Sequence, residues 1–405
     1  MNIVHIIGNG FDLNQGLPTS YAHFYEFYFQ LIPQEKDSDV VRKIRELLAK
    51  KLYDKRTDRW ADLEKTLGEV AAEFESVEEY ADAYLDVYTH LMDYLSGAYE
   101  NSELVKFDSP EKTLYYDLAL PWKHLVPRDQ NTIEQHLPSE EIHVNIINFN
   151  YTDTLDRISE LPGNVGKRLG LYGNRNMVYD GCQHVHHRLK NRDVILGVDN
   201  LSQIANEKFR NDERIQSYMI KPQTNTAMGN LEDRRCRERI QSAYMISIYG
   251  MSIGETDTTW WKEIGKRFKA EKGMKILYFP YVKDIASVLP IDLNLRRVQA
   301  IRELCTKVGV TYEEAKDRVF VNFCNMPGRR NIFTNTKQKD TRDNFENVMA
   351  EFQEKGVIRK PQRVNLKSPF HLELMPPLPE HEPLFEARVY RKKMTGLERM
   401  AMDKI

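Results

Sequence analysis

Apolar residues fall into two rhythms along the chain. Residues 1–7 (MNIVHII) are a β-branched run stopped by Gly8, the pattern of a strand buried on both faces. Similar runs return at 142–149 (IHVNIINF), 184–189 (HVHHRL), 193–198 (DVILGV), 243–249 (AYMISIY), 275–281 (KILYFPY) and 318–323 (RVFVNF). Between the first two runs the spacing changes to threes and fours. Tyr21, Phe24, Tyr25, Phe27 and Tyr28 share a helical stretch, and Tyr80, Tyr84, Tyr88, Leu91 and Leu95 form a stripe after Ser76 and Glu79. Ser76 with Glu79 is a capping box, so the spacing predicts a helix start there. A tyrosine stripe of this kind predicts a face turned to the core rather than a platform for stacking bases.

Strands alternating with helices argue for an α/β fold with a largely parallel sheet. Because more than 100 residues part the first strand from the next clear one, the pattern predicts a doubly wound sheet with a helical insertion after its first βα unit. The expected division is an α/β core at 1–35 and 141–324, a helical insertion at 36–140 and a C-terminal extension at 325–405. The extension begins polar and basic (Arg329, Arg330, Lys337, Lys339, Arg342), passes through a helical segment near 341–355 and becomes rich in proline. From 355 to 405 it carries 11 Lys+Arg against 6 Asp+Glu. That excess suits a tail packed on a neighbouring subunit better than a nucleic-acid arm, so a homo-oligomer is expected.

Composition narrows the class. With 405 residues, 41% hydrophobic and 29% charged, the chain reads as globular, of two or three domains or one large domain with insertions. Mean hydropathy is −0.59 and no stretch approaches the ~20 apolar residues of a membrane helix. The first residues lack the basic region of a signal peptide. Four cysteines without CxxC spacing read as reduced thiols, so a cytoplasmic location is expected. A net charge of −2 gives no reason to favour nucleic acid or a membrane as partner.

Candidate chemistry sits where strands end. Gly8-Asn9-Gly10-Phe11-Asp12 follows the first strand, and Thr19 and Ser20 close the same loop. Glycines there permit a sharp turn and close approach of a ligand phosphate, or simply a tight βα turn; Leu13 stands where a full GxGxxG needs its third glycine. Asn148-Phe149-Asn150-Tyr151-Thr152-Asp153 follows the second run, where open α/β sheets bind ligands. The plain alternative is that Asn150 and Asp153 cap the next helix. In His184-Val185-His186-His187, strand alternation puts His184 and His186 on one face and His187 on the other. One of the pair suits a general base, but no local spacing completes a metal site, and no structural metal is expected. Gly250 and Ser252 lie in YGMSIGETD, where Asp257 looks like the N-cap of the helix carrying Trp260 and Trp261. Asp62 and Glu64 in WADLE, two apart on a helix, fit a solvated face.

Taken in order, GNGFDLNQGLPTSY, WADLE, NFNYTDTLD, HVH and YGMSIGETDTTWW closely resemble the AbiH family of bacterial abortive-infection proteins, across residues 1–285. The resemblance implies a role in anti-phage defence. More distantly the blocks resemble the sirtuin-like NAD-binding fold, which implies a Rossmann-like α/β core. Carried over, Gly8 and Gly10 match its GAGxS cofactor loop, Asn150 its TxNxD asparagine, His186 its catalytic histidine, and Gly250 with Ser252 its late GxS loop. This sequence departs at Asp12, where serine is usual, at Thr152, where aspartate is usual, and at His187, which replaces a glycine.

The resemblance implies a nucleotide as ligand and NAD as a substrate to be consumed. An NAD glycohydrolase passes through an oxocarbenium-like state, so Asn150 is expected to position ribose or water, His186 to act as base, and Asp12 or Asp153 to face the positive charge. Asn9, Phe11, Thr19 and Ser20 join the glycines as expected cofactor contacts. Two alternatives stand beside it: a metal-dependent nuclease or nucleotide phosphohydrolase using Asp12, Asp153, His184 and His186, and a non-catalytic sensor of nucleotide or of a phage-derived trigger.

Overall fold

The computed structural model describes residues 1–359 apart from 34–37, 55–62, 105–106, 108, 111, 162, 192, 230 and 336–339, and apart from the side chains of 52–54. Trp60, Ala61 and Asp62 of WADLE and the proline-rich C-terminal stretch lie outside the described residues.

Seven strands make one sheet: β1 (Asn2–Ile7), β2 (Ile142–Asn148), β3 (Arg168–Tyr172), β4 (Arg175–His184), β5 (Met245–Tyr249), β6 (Lys275–Phe279) and β7 (Val319–Val321). Their order is β3-β4-β2-β1-β5-β6-β7. Every neighbouring pair is parallel except the β3–β4 hairpin. β1 is therefore central, with β2 on one side and β5 on the other, and the order reverses there. In such a sheet the crevice beyond the carboxyl ends at the reversal is the place for a ligand. The loops after β1, β2 and β5, which carry Gly8, Asn150 and Ser252, all leave the same edge of the sheet.

Both faces of the sheet are covered, which is why β1, β5 and β6 are apolar on successive residues. On one face Ile3, Ile7, Val144, Ile146 and Leu277 pack with α1 (Gly10–Asn14), α6 (Leu114–Ala119), α7 (Pro127–Glu134) and α8 (Thr154–Ser159). On the other, Val4, Ile6, Ile246, Ile248 and Ile276 meet α11 (Glu232–Ser242), α12 (Thr258–Ala270), α13 (Pro290–Val308) and α14 (Tyr312–Ala315). A third core joins α2 (Tyr21–Tyr28), α3 (Asp39–Asp54), α4 (Leu63–Val70), α5 (Val77–Asn101), α9 (Glu213–Met219) and α15 (Thr341–Glu354). The segment before α15 is built into the first of these cores. Phe333 is fully buried there, and Arg330 binds the buried Asp117 carboxylate through two bonds of 2.7 Å. No helix among the described residues is long and apolar enough to cross a membrane.

The tyrosine stripe is core, as its spacing predicts. Ser76 Oγ accepts from Glu79 N to start α5, and the hydroxyls of Tyr80, Tyr84 and Tyr88 donate to the carbonyls of Leu67, Leu196 and Val194. One departure from the sequence pattern lies here. Residues 193–198 are largely buried yet form no strand: tyrosine hydroxyls bind two of their carbonyls, and Val198 makes an isolated parallel bridge to Ile220. The expected strand at 184–189 is also absent. β4 ends at His184, and the chain turns through His187, which adopts φ +61°. In its place the sequence RLGLYGNRNMVYDGCQH forms the β3–β4 hairpin around Gly173 and Asn174, a signal that alternation and a Gly-Asn turn carry.

Candidate functional site

The two glycine loops close on each other. Gly8 N donates to Tyr249 O (3.0 Å) and Gly10 N to Gly250 O (2.9 Å), extending the β1–β5 pairing past the strand ends. A Cβ on Gly10 would lie 2.6 Å from Gly250 Cα, so only bare backbone fits. Gly250 is bound from both sides: its φ is +68°, and a Cβ there would sit 2.7 Å from Phe11 N. These glycines are thus accounted for by loop against loop. Of the other expected cofactor contacts, Phe11 is in the core against Tyr249 and Phe333. Asn9 and Thr19 bind one another, with Thr19 Oγ1 donating to Asn9 Oδ1 at 2.6 Å. Ser20 caps α2 by accepting from His23 N, and Ser252 is exposed.

Residues 149–153 leave β2 and bend at Tyr151 and Thr152, and their side chains go two ways. The even positions turn to Asp12. Asn150 Nδ2 donates to Asp12 Oδ1 at 3.0 Å, Thr152 Oγ1 donates to Asp12 Oδ2, and Thr154 Oγ1 lies 2.9 Å from Thr152 Oγ1. Asn148 Oδ1 accepts from Asn150 N and holds the loop's shape. Asp12 is 1% exposed. Burial pushes its carboxyl up to about 7, although the bonds from Thr152, Thr154 and Asn150 pull the other way. Neither Asn150 nor Asp153 caps a helix with its side chain. Asp153 stands at the N-cap position of α8 but makes no cap bond, and its Oδ1 lies 3.7 Å from Arg188 Nε.

The odd positions turn to His186. The ring of Phe149 meets it edge-on at 5.4 Å and Tyr151 lies 6.0 Å away. From there a buried polar chain runs outward. His186 Nε2 is 3.1 Å from Asp257 Oδ1, Lys221 Nζ is 3.0 Å from that same oxygen and 2.7 Å from Glu64 Oε2, and Tyr151 OH donates to Glu64 Oε1 at 3.0 Å. Burial alone raises Asp257 and lowers Lys221. Their mutual attraction, with His186 and Glu64, overcomes it, so Asp257 is held below its ordinary range and Lys221 above. Burial, then Lys221, lowers His186 despite Asp257. The imidazole is therefore neutral near pH 7. Its Nε2–H faces the Asp257 carboxylate, which leaves a lone pair on Nδ1, a buried atom with no partner among the described residues.

This arrangement corrects three expectations. Asp257 occupies the N-cap position of α12 but makes no side-chain cap bond; its carboxylate serves His186 and Lys221 instead. Glu64 is buried at 5% exposure, not on a solvated face. His184 and His186 do not share a strand face: His184 ends β4 and binds Asp156 Oδ2 at 2.9 Å, while His187, after the turn, lies 3.0 Å from Asp193. Lys221 went unmarked in the sequence. Its one signal is position, since a lysine as first residue of α10 (Lys221–Ala227) opposes the helix dipole unless carboxylates hold it.

A cleft of about 850 Å³ lies elsewhere, without Asp12 or His186 in its lining. It runs beside β4 and α11 and includes Asp156, Cys182, Arg188, Arg235 and Arg239 in its lining.

A family model described as Bacteriophage abortive infection AbiH fits residues 4–279 of the 405, from within β1 to the last residue of β6. Asp12, Glu64, Asn150, His186, Lys221 and Asp257 all lie inside it. No curated protein matches the chain.

Proposed function

Since the chain belongs to the AbiH family of bacteriophage abortive infection proteins, we propose that its contribution to that defence is hydrolysis of the nicotinamide–ribose bond of NAD. The family membership carries the abortive-infection role; the chemistry is read from the site.

One observation carries the reading. Two of the sequence's departures from the sirtuin-like pattern, Asp12 for serine and Thr152 for aspartate, are hydrogen-bonded to each other. The two departures therefore fall on one buried contact, a hydroxyl bound to a carboxylate, which supports reading them together. Asn150, which matches that pattern directly, holds the other oxygen of the same carboxylate.

The residues divide the work as follows. The C1′–N bond breaks with its electron pair going to the nicotinamide ring, which leaves neutral, and positive charge develops on the ribose. Asp12, whose carboxyl burial raises to about 7, is ionised in part at neutral pH, and in that form, held by Asn150 and Thr152, it stabilises that charge. Water then adds to C1′. His186 Nδ1, with its lone pair free and its ring fixed by Asp257, takes the proton. Lys221 and Glu64 are positioning residues, because they hold Asp257 ionised and in place.

The nuclease reading has less support. Its expected ligands go to separate partners: Asp12 to Asn150 and Thr152, His184 to Asp156, His186 to Asp257, and Asp153 toward Arg188. Asp12 and His186 are 1% and 4% exposed, so the proposed reaction requires a conformation more open than this one. Purified protein at near-stoichiometric amounts, incubated with NAD, with RNA and with DNA, tests the proposal. Nicotinamide release that Asp12→Asn and His186→Gln abolish supports it. Cleavage of nucleic acid with NAD untouched overturns it.

A further inference from the structure

We propose that Asp156, Cys182 and His184 form a zinc site, with three protein ligands and a fourth position open to the cleft beside β4. The three side chains each offer a ligand atom, and these atoms lie within 4.8 Å of one another. They are the group of this kind found among the described residues. Cys182 and His184 are two apart on β4, and Asp156 reaches them from α8, so the sheet and the helix bring the trio together.

Thiolate, imidazole and carboxylate are the donors that suit zinc, and three of them with an exchangeable fourth position is the pattern of an open site. Bonds of ~2.0–2.3 Å in a tetrahedron place neighbouring donor atoms roughly 3.3–3.7 Å apart. The 2.9 Å between His184 Nε2 and Asp156 Oδ2 is already close to that edge. Charge closes as well: on binding, Cys182 gives its proton to solvent in the cleft, and the resulting thiolate with the Asp156 carboxylate neutralises a divalent ion.

His184 is 3% exposed and already turns its Nε2 to Asp156, so the donor pair is oriented without a change of fold. Access is a separate feature. Asp156 and Cys182 both line the 850 Å³ cleft, so an ion has an entry path and a solvent molecule has room as fourth ligand.

Arg188 is the group that must yield, since its Nη1 lies 3.5 Å from Asp156 Oδ2. It has somewhere to go. Its Nε is 3.7 Å from Asp153 Oδ1, a buried oxygen with no hydrogen bond among the described residues, and the side chain is 35% exposed. A short shift exchanges one carboxylate for the other.

Cobalt(II) titration of the full chain, stripped with chelator, tests the site. The expected result is one equivalent bound, with tetrahedral d–d bands and a thiolate-to-cobalt charge-transfer band that zinc displaces. Cys182→Ser should abolish the charge-transfer band, and His184→Gln should weaken binding at least ~10-fold, while Cys324→Ser leaves both unchanged. No thiolate band in the wild-type chain at saturating cobalt overturns the proposal, as does a band that survives Cys182→Ser. The readout is metal spectroscopy alone, so failure here leaves NAD hydrolysis at Asp12 and His186 untouched, and failure there leaves this site untouched.

Discussion

Replacing Asp12 with asparagine should change how stability responds to pH. In the folded chain the carboxyl sits at about 7 against an ordinary 3.8. Between those values the folded state holds a proton that the unfolded state has released, so stability falls as pH rises through the window and levels off above it. From pH 5 to pH 8 that linkage comes to roughly 2.5 kcal/mol, at about 1.36 kcal/mol for each unit traversed. Asparagine has no such proton. It also fits the contacts: its oxygen accepts from Thr152, and a half-turn of the Asn150 amide presents Oδ1, unpaired among the described residues, to the new NH₂. Urea unfolding of wild type and Asp12→Asn at pH 5 and pH 8 isolates the effect, because every other group titrates alike in both. The variant should gain roughly 2.5 kcal/mol on the wild type over that interval. Parallel curves would mean that Asp12 titrates near its ordinary value, and its role as a tuned carboxylate would be lost.

Two further substitutions probe the rest of the site. Lys221→Met leaves Glu64 and Asp257 buried without their cation and should cost ~3–5 kcal/mol in urea unfolding at pH 7, with part regained when Glu64→Gln is added; a loss under ~1 kcal/mol would reduce the network to a surface-like pair. Gly250→Ala forces a side chain onto φ +68° and against Phe11 N, so at least ~1–2 kcal/mol should be lost, seen as a lower melting temperature. An unchanged melting temperature would show that the β1 and β5 loops are not locked together.

Much of the fold is legible in the sequence because it rests on local rules. The runs at 1–7, 142–149, 243–249 and 275–281 are strands since a sheet covered on both faces needs apolar residues at successive positions. The failures come where a tertiary partner decides. Residues 193–198 look like a strand and are none: their partners are tertiary, with Tyr84 and Tyr88, more than 100 residues earlier, on two of their carbonyls and Ile220 bridging Val198. The site shows the same division. NFNYTD is visible as a polar cluster after a strand, but that Asn150 and Thr152 turn to Asp12 while Phe149 and Tyr151 turn to His186 is seen only in the folded chain. Lys221 and Glu64 stay hidden because only their meeting in space gives either a reason to be buried.

Intracellular NAD during phage infection is the most direct measurement. Cells carrying the wild-type chain, His186→Ala or His187→Ala are challenged with phages against which the wild type protects, and NAD and nicotinamide are followed by mass spectrometry. The account predicts NAD collapse with nicotinamide release in wild type and in His187→Ala, whose ring faces Asp193 instead of the site. In His186→Ala, at equal protein level and melting temperature, NAD should hold steady and protection should fail, since loss of a general base costs ~10²–10⁴-fold in rate. Protection by the wild type with NAD unchanged, or equal NAD loss in His186→Ala, would contradict it.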